Sequence, residues 1–223
     1  MEDILDVYCR PYDPRRPLLC MDEMGKNLVA DKHAPEAMKP GQPRREDYTY
    51  EKKGSGNVFI ACEPLAGKRY LQVSKRRTKK DWACFIHELL TGPYAEVEKV
   101  VIVMDNLTTH SPASLYEVFP PQEAKALADR LEIHYTPKHA SWLNIAEIEL
   151  SVLVRQGLAR NIATLQELCE QAEQWQDQRN QAETTVNWHF TTTDARIKLK
   201  RLYPVLNVTK PAKQRRRTVT NSA

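Results

Sequence analysis

The sequence predicts an α/β fold, a mixed sheet flanked by helices. Short apolar, β-branched runs such as Val100–Met104 alternate along the 223-residue chain with segments whose apolar residues recur at helical spacing. This alternation is typical of a sheet covered by helices on its faces. Acidic residues directly follow two of the apolar runs, and ligand chemistry in such sheets gathers at the carboxyl ends of strands. We therefore expect the functional site at that edge of the sheet. A chain of this length is expected to form one principal domain.

The predicted strands are short and are bounded by turn residues. Pro64 and Gly67 separate two β-prone runs, which predicts a hairpin. A continuous apolar run, as at Val100–Met104, is typical of a strand covered on both faces. The five predicted strands are residues 18–21, 57–62, 69–73, Val100–Met104 and Leu131–Tyr135.

The predicted helices follow from apolar residues at helical spacing. Residues 78–90 have Thr78 as an N-cap and Gly92 as a stop signal. Trp142 falls in the apolar stripe of a later segment, so we expect it in the core, although an indole is also able to stack on a base. The remaining predicted helices are residues 111–119, 121–130, 141–157, 163–181 and 194–202.

Composition divides the chain into four segments. Prolines among charged residues predict an irregular lead-in at residues 1–17, before the core begins. The principal domain is expected at residues 18–160 and a helical extension at residues 161–203. Residues 35–43 are expected to form a loop, and residues 204–223 a flexible basic tail.

Several protein classes are excluded by the sequence. The longest apolar run is far too short to span a bilayer, and the N-terminus lacks the pattern of a signal peptide. The five cysteines are scattered singly, which favours reduced thiols over disulfides or a zinc site. We expect a cytoplasmic protein with no membrane partner.

Basic residues are concentrated in two runs, although the formal net charge is only +4. A single run is usually a solvated face, but two runs favour a nucleic-acid partner. The first run is the leading candidate for phosphate contacts, and the second is expected to add salt-sensitive affinity. The first consists of Lys75, Arg76, Arg77, Lys79 and Lys80, and the second of Lys210, Lys213, Arg215, Arg216 and Arg217.

Two aspartates lie where predicted strands end, Asp22 after the first strand and Asp105 after Val100–Met104. If these strands are neighbours, the two carboxylates meet, and an acid from a following helix completes a cluster. Three such acids repel one another unless hard divalent cations neutralise them. The pattern therefore indicates a Mg²⁺ or Mn²⁺ site.

Three segments carry a resemblance to a known family: LLCMDE, VIVMDNLTTH and HYTPKHASWLNIAEIELSVL. In this order they resemble the signature blocks of mariner-superfamily DDE transposases, in the bacterial insertion-sequence branch. The resemblance covers residues 18–156 and differs at Ile145, where the family often has proline. It implies a ribonuclease H-like fold, with Asp22, Asp105 and Glu147 as the catalytic residues that hold two Mg²⁺ or Mn²⁺ ions.

The resemblance also implies a function and partners. The implied reaction is metal-dependent cleavage of DNA at the ends of a mobile element, followed by transfer of the freed 3′-hydroxyl into target DNA. The implied partners are element ends and target DNA, often at a TA dinucleotide, together with a second copy of the chain in a homodimer or higher assembly. Nucleoid association in the cytoplasm follows from that partner. Asn106, His110, Lys138 and His139 are the further expected DNA-binding residues.

Alternatives remain at two acids and for the function. Glu149 competes with Glu147, but residues two apart on a helix point to opposite sides, and the motif register selects Glu147. Glu23 is expected to face away from Asp22 as a surface acid.

The family usually carries helix-turn-helix modules ahead of the catalytic domain, so we expect either a separately encoded catalytic half or a truncated product. The rival functions are a non-joining nuclease of the same fold and a DNA-binding remnant or regulator without catalysis.

Overall fold

The computed structural model describes residues 1–32, 41 and 49–204 and contains one five-stranded mixed sheet. The strands are β1 (Leu18–Asp31), β2 (Tyr50–Glu63), β3 (Lys68–Ser74), β4 (Val100–Met104) and β5 (Leu131–Tyr135). Their order is β3-β2-β1-β4-β5. The pairs β3–β2 and β2–β1 are antiparallel, and the pairs β1–β4 and β4–β5 are parallel. The predicted mixed sheet flanked by helices is confirmed.

Helices cover both faces of the sheet. The six α-helices in the described residues are α1 (Glu2–Tyr8), α2 (Lys79–Thr91), α3 (Pro121–Asp129), α4 (Ile145–Gln156), α5 (Leu165–Gln181) and α6 (Thr192–Lys198). Short 3₁₀ helices occupy Pro112–Glu117, Ser141–Leu143 and Lys200–Leu202. Side chains from α1, α4, α5 and α6 form one core with β1, and side chains from α2 and α3 form a second core on the opposite face.

Alternation along β1 assigns its side chains to these two cores. Cys20 belongs to the core of α1, α4 and α5, whereas Leu19 and Met21 belong to the core of α2 and α3. Because successive strand residues point to opposite faces, Asp22 follows Cys20 toward α4 and Glu23 follows Met21 toward α2. The sheet thus separates these neighbouring acids.

The N-terminal prediction was wrong in part. Residues 1–17 were expected to form an irregular lead-in, but α1 is a helix with Ile4 and Leu5 fully buried. The hydroxyl of Tyr8 donates a hydrogen bond of 2.6 Å to the carbonyl of Leu143. The segment is therefore part of the core, held by tertiary packing that composition did not reveal. The prediction for β1 was too short, because pairing with β2 extends it to Asp31.

Side chains of α5 form hydrogen bonds with backbone groups of β3, the edge strand of the sheet. The amide of Asn180 accepts a hydrogen bond from the backbone N–H of Arg69 at 2.7 Å and donates one to the carbonyl of Arg69 at 2.8 Å. Gln176 accepts a hydrogen bond from the N–H of Leu71 at 2.7 Å. An unpaired strand edge is a template for aggregation, and α5 caps this one.

Gly67 allows α5 to end against the β2–β3 turn. Its φ is +66°, and a Cβ there would lie 2.7 Å from the backbone of Glu183. The predicted loop at residues 35–43, apart from Gly41, and the basic tail beyond residue 204, including Lys210, Lys213, Arg215, Arg216 and Arg217, lie outside the described residues. Within the described residues, no helix is both long and apolar enough to cross a membrane.

The carboxylate of Glu132 ties the N-terminal segment to β5 and should make stability sensitive to acid. Arg10 and Arg16 both contact it, at 2.6 and 2.5 Å. The hydrogen bond from Arg10 is the main cause that lowers the pKa of Glu132 to about 2. The folded state therefore holds the ionised form more strongly than the unfolded chain does, and this stability is present above pH 4.5 and lost as pH falls toward about 2.

We expect Glu132→Gln to lower the urea midpoint at pH 6, with a smaller difference from wild type at pH 3. Glu98→Gln, which changes an exposed carboxylate, is the control and should show neither effect. Equal losses at both pH values would contradict the assignment.

Candidate active site

The strand register brings Asp22 and Asp105 to the same level of the sheet. Leu18 pairs with Val101 and Cys20 with Val103. The same register, continued by two residues along each of the two strands, places Asp22 opposite Asp105. Asp105 directly follows the last residue of β4. The expected meeting of these two strand segments is therefore found, although Asp22 lies inside a longer strand than the sequence predicted.

The third acid of the motif lies on the same side of the sheet. Glu147 is exposed in the first turn of α4, whose buried residues Ile145 and Ala146 pack into the core that Cys20 also lines. Burial is the main cause that raises the pKa of Asp22 to about 7, and the charges of Glu23, Asp105 and Glu147 add to it, while a hydrogen bond from the backbone N–H of Glu23 opposes it. The acids thus repel one another at this site.

Glu149, the competing acid, is committed elsewhere. Its side chain is 1% exposed, and its two oxygens accept hydrogen bonds of 2.7 and 3.0 Å from the guanidinium of Arg69. Arg179 contacts the same carboxylate at 3.1 Å. Both oxygens of Glu149 are therefore engaged on the side of α4 that faces β3 and α5, which leaves Glu147 as the acid of this pair that is free to act at the site.

His110 forms a buried link between Asp105 and Glu23. Its Nδ1 lies 2.5 Å from Oδ1 of Asp105 and its Nε2 lies 3.0 Å from Oε2 of Glu23. Burial by itself lowers the pKa of His110, but the contacts with Asp105 and Glu23 outweigh it and raise the pKa to about 9. A protonated imidazole therefore lies between the two carboxylates and fixes the position of Asp105.

Two expectations fail at this link. His110 was expected to contact DNA, but its side chain is 1% exposed and both ring nitrogens face carboxylates. Glu23 was expected to be a surface acid, but its side chain is 4% exposed, because it points into the core of α2 where the imidazole neutralises it. Sequence reasoning missed this pairing, and only the place of His110 in the D-N-x-x-x-H block hinted at a link with Asp105.

Asn144 anchors the helix that carries Glu147. Its Oδ1 accepts a hydrogen bond of 3.1 Å from the N–H of Ala146, as an N-cap does, and its Nδ2 donates a hydrogen bond of 2.8 Å to the carbonyl of Met21. Because Met21 directly precedes Asp22, one buried amide holds α4 against the first acid. Sequence reasoning did not assign this role, although the L-N-x-x-E block contains the residue.

Replacing Asn144 by Ala should destabilise the fold by about 2–3 kcal/mol, since it removes a helix cap and leaves a buried carbonyl without its donor. Asn144→Ser keeps a cap oxygen and loses the donor to Met21, so it should recover part of that loss. Urea unfolding of the three proteins measures both effects. An alanine variant within about 0.5 kcal/mol of wild type would show that the anchor is not needed.

The expected DNA-binding residues are mostly on the surface. Lys75, Arg76, Arg77 and Lys80 are exposed, whereas Lys79 is half-buried and pairs with Glu117 at 2.8 Å. Asn106, Lys138 and His139 are also exposed. Ser74 pairs with Asn57, which pairs with Gly25, so the basic run begins just past the level of Asp22, at the same end of the sheet.

Residues 17–169 match the family model described as DDE superfamily endonuclease, which is more than half of the chain. The chain belongs to this family. The matched range contains Asp22, Asp105 and Glu147 together with all five strands. No curated protein matches the chain.

Solved structures share the fold of this DDE family member. The Mos1 mariner paired-end complex with Mn has a TM-score of 0.55 at 13% identity, and covers 82% of this chain and 55% of that one. The Mos1 strand transfer complex has a TM-score of 0.54 at 13% identity, with the same coverage. This chain spans about half the length of those proteins. The predicted ribonuclease H-like fold is confirmed.

Proposed function

We propose that this chain is the catalytic domain of a DNA transposase. It cleaves DNA strands at the ends of a mobile element and transfers the freed 3′-hydroxyl into target DNA. The observation that carries the proposal is the alignment of Asp22 with Asp105 at neighbouring strands, with Glu147 on the same side, in a chain of the DDE family. The solved neighbours include a transposase strand transfer complex.

The donor set fits divalent cations. Carboxylate oxygens are the ligands that Mg²⁺ and Mn²⁺ prefer, and the side chain of Asp105, whose Oδ1 contacts His110, is still 37% exposed. Burial raises the pKa of Asp22 most, and the charges of Glu23, Asp105 and Glu147 raise it further; bound cations would relieve that second, electrostatic part. Within the described residues, no three potential ligands are already arranged as a metal site.

We assign the metal-holding role to Asp22, Asp105 and Glu147, with two Mg²⁺ or Mn²⁺ ions. A pair of such ions supplies activation of a water or 3′-hydroxyl and stabilisation of the leaving oxygen in phosphodiester chemistry. The protein contributes rigidity: His110 holds Asp105, and Asn144 holds the start of α4 against β1. The open side of the site, where Glu147 and Asn106 are exposed, is where the DNA strand would enter.

DNA is held by phosphate contacts in this proposal. Lys75 and Arg76 line a groove of about 760 Å³ that also contains Lys53 and the start of α5. Exposed lysine and arginine side chains bind phosphates without reading sequence. Arg77, Lys80, Lys138 and His139 are further exposed residues available to phosphates, and Asn106 directly follows Asp105. Since the two ends of an element must be handled together, we infer that at least two copies assemble on DNA.

The experiment is a strand-transfer assay. The purified chain is given Mn²⁺ or Mg²⁺, a labelled pre-cleaved duplex from the DNA that flanks its gene, and plasmid as target. Joined product is expected from wild type and from Asp177→Asn, an exposed aspartate on α5, but not from Asp105→Asn. Cutting without joining would instead identify a nuclease of the same fold. DNA binding without any metal-dependent chemistry would indicate a DNA-binding remnant or regulator and would contradict the proposed enzyme activity.

A further inference from the structure

A cavity of about 220 Å³ lies at the end of the sheet that is away from Asp22 and Asp105. Leu18 and Val101, which pair near the start of β1 and β4, form part of its wall. Asp22 follows Leu18 by four residues, a separation of about 13 Å along an extended strand. The other walls come from α1, the segment between α1 and β1, and the β2–β3 turn. The apolar residues of the lining are Val7, Pro11, Leu18, Leu65 and Val101.

Glu63 supplies a buried carboxylate to the lining of this cavity. It is the last residue of β2 and is 6% exposed, and its Oε2 accepts a hydrogen bond of 2.9 Å from the hydroxyl of Tyr94. Burial raises the pKa of Glu63, and hydrogen bonds from Tyr94 and Tyr12 and the charge of Lys68 oppose that rise. Among the described residues, no lysine or arginine forms an ion pair with this carboxylate. Its charge is therefore held at close range by neutral hydroxyl groups.

The other charged groups of the lining have partners or face water. Arg10 and Arg16 both pair with Glu132, at 2.6 and 2.5 Å, so their charges are already matched. The second carboxylate of the lining, Asp13, has a side chain that is 40% exposed and is therefore well solvated. Of these described lining residues, Glu63 alone combines a buried charge with the lack of an ion partner. The cavity thus favours a cation over an anion.

We propose that this cavity binds a small protonated amine whose apolar body is about the size of a benzene ring. An apolar cavity of roughly 150 Å³ binds benzene, so about 220 Å³ has room for one ring and a short aminomethyl arm. The apolar walls take the ring, and the ammonium group donates a charge-assisted hydrogen bond to Glu63. A ligand carboxylate is repelled by the same charge. The inference does not depend on the proposed function, because the cavity and the three acids lie at different ends of the sheet.

The test is isothermal titration calorimetry of the full chain at neutral pH with three probes of similar size: benzylamine, benzyl alcohol and benzoate. Wild type should bind benzylamine about 10- to 100-fold more tightly than benzyl alcohol, because a hydrogen bond to a charged group contributes more than one between neutral groups. Benzoate should bind more weakly than either. Glu63→Gln should lower the affinity for benzylamine to that for benzyl alcohol and leave the affinity for benzyl alcohol unchanged.

Two further variants locate the binding in this cavity. Asp13→Asn neutralises the exposed carboxylate of the lining and should keep the preference for benzylamine, whereas Leu65→Trp fills the cavity and should weaken binding of benzylamine and benzyl alcohol alike. The comparison of the three probes on wild type needs no variant, so it decides the matter if Glu63→Gln is unstable. Equal affinities for benzylamine and benzyl alcohol, tight binding of benzoate, or no binding of any probe would overturn the proposal. A preference that survives in Glu63→Gln would do the same.

Discussion

Replacing Glu147 by Gln is expected to slow metal-dependent DNA cleavage by roughly 1,000-fold, since a lost charge at a metal centre costs several kcal/mol of transition-state stabilisation. The fold should be unaffected, because Glu147 is exposed, so the free energy of unfolding should stay within about 0.5 kcal/mol of wild type. Single-turnover cleavage rates at saturating Mn²⁺ and urea unfolding are the two measurements. Together they separate a ligand from a structural acid.

Glu149→Gln is the informative comparison, because it changes the acid two residues away. It should lose stability, since Arg69 then faces a neutral amide. Glu170→Gln, an exposed acid on α5, should change neither quantity. Normal cleavage by Glu147→Gln, together with a folded but inactive Glu149→Gln, would transfer the third position to Glu149 and contradict the motif register.

Elements with strong local signals were predicted closely. The bounds of β4 and β5 are those read from the sequence, because each run of apolar or alternating residues ends at turn chemistry. Helix α2 has the predicted cap: Thr78 accepts a hydrogen bond from the N–H of Asp81 and forms a capping box, and the helix ends at Gly92. These signals lie within a few residues and need no tertiary information.

Elements that depend on tertiary contacts were missed. Helix α1 has seven residues and no side-chain cap, so its sequence alone does not favour a helix, and its burial against the sheet stabilises it. The second half of β1 contains polar residues and Gly25, and its strand conformation comes from pairing with β2. Trp142 was placed in the apolar stripe of one long helix, but a 3₁₀ turn precedes α4 and changes the periodicity there, so Trp142 is exposed and the prediction that it lies in the core was wrong.

The motifs predicted individual residues of the site, but they did not predict the contacts between those residues and the rest of the chain. The register of β1 against β4 and the side on which α4 packs agree with the proposed set of acids, which remains a prediction until the variants are measured. Partners that are distant in the chain carried no local signal. Two buried pairs show this: Glu23 with His110, and Arg69 with Glu149. In the sequence, each of these residues resembles an ordinary surface charge, and only the fold shows that it is buried.

Replacing Arg69 by Met should destabilise the protein by about 3–5 kcal/mol, because it leaves the buried carboxylate of Glu149 with Arg179 as its remaining cation. The double variant Arg69→Met/Glu149→Leu should recover most of that loss, since the cost is that of an uncompensated buried charge. Lys125→Met, which breaks an exposed pair with Asp129, should cost under about 1 kcal/mol.

Urea unfolding of wild type, Arg69→Met, Glu149→Leu and the double variant gives the coupling energy between Arg69 and Glu149. A strong coupling means that Glu149 is held away from Asp22 by a bond that metal binding cannot easily break, and that the acid at the site must come from Glu147. A cost below about 1 kcal/mol for Arg69→Met would mean that the Glu149 carboxylate is readily solvated. The assignment of the third metal ligand would then rest on the motif register and the cleavage rates alone.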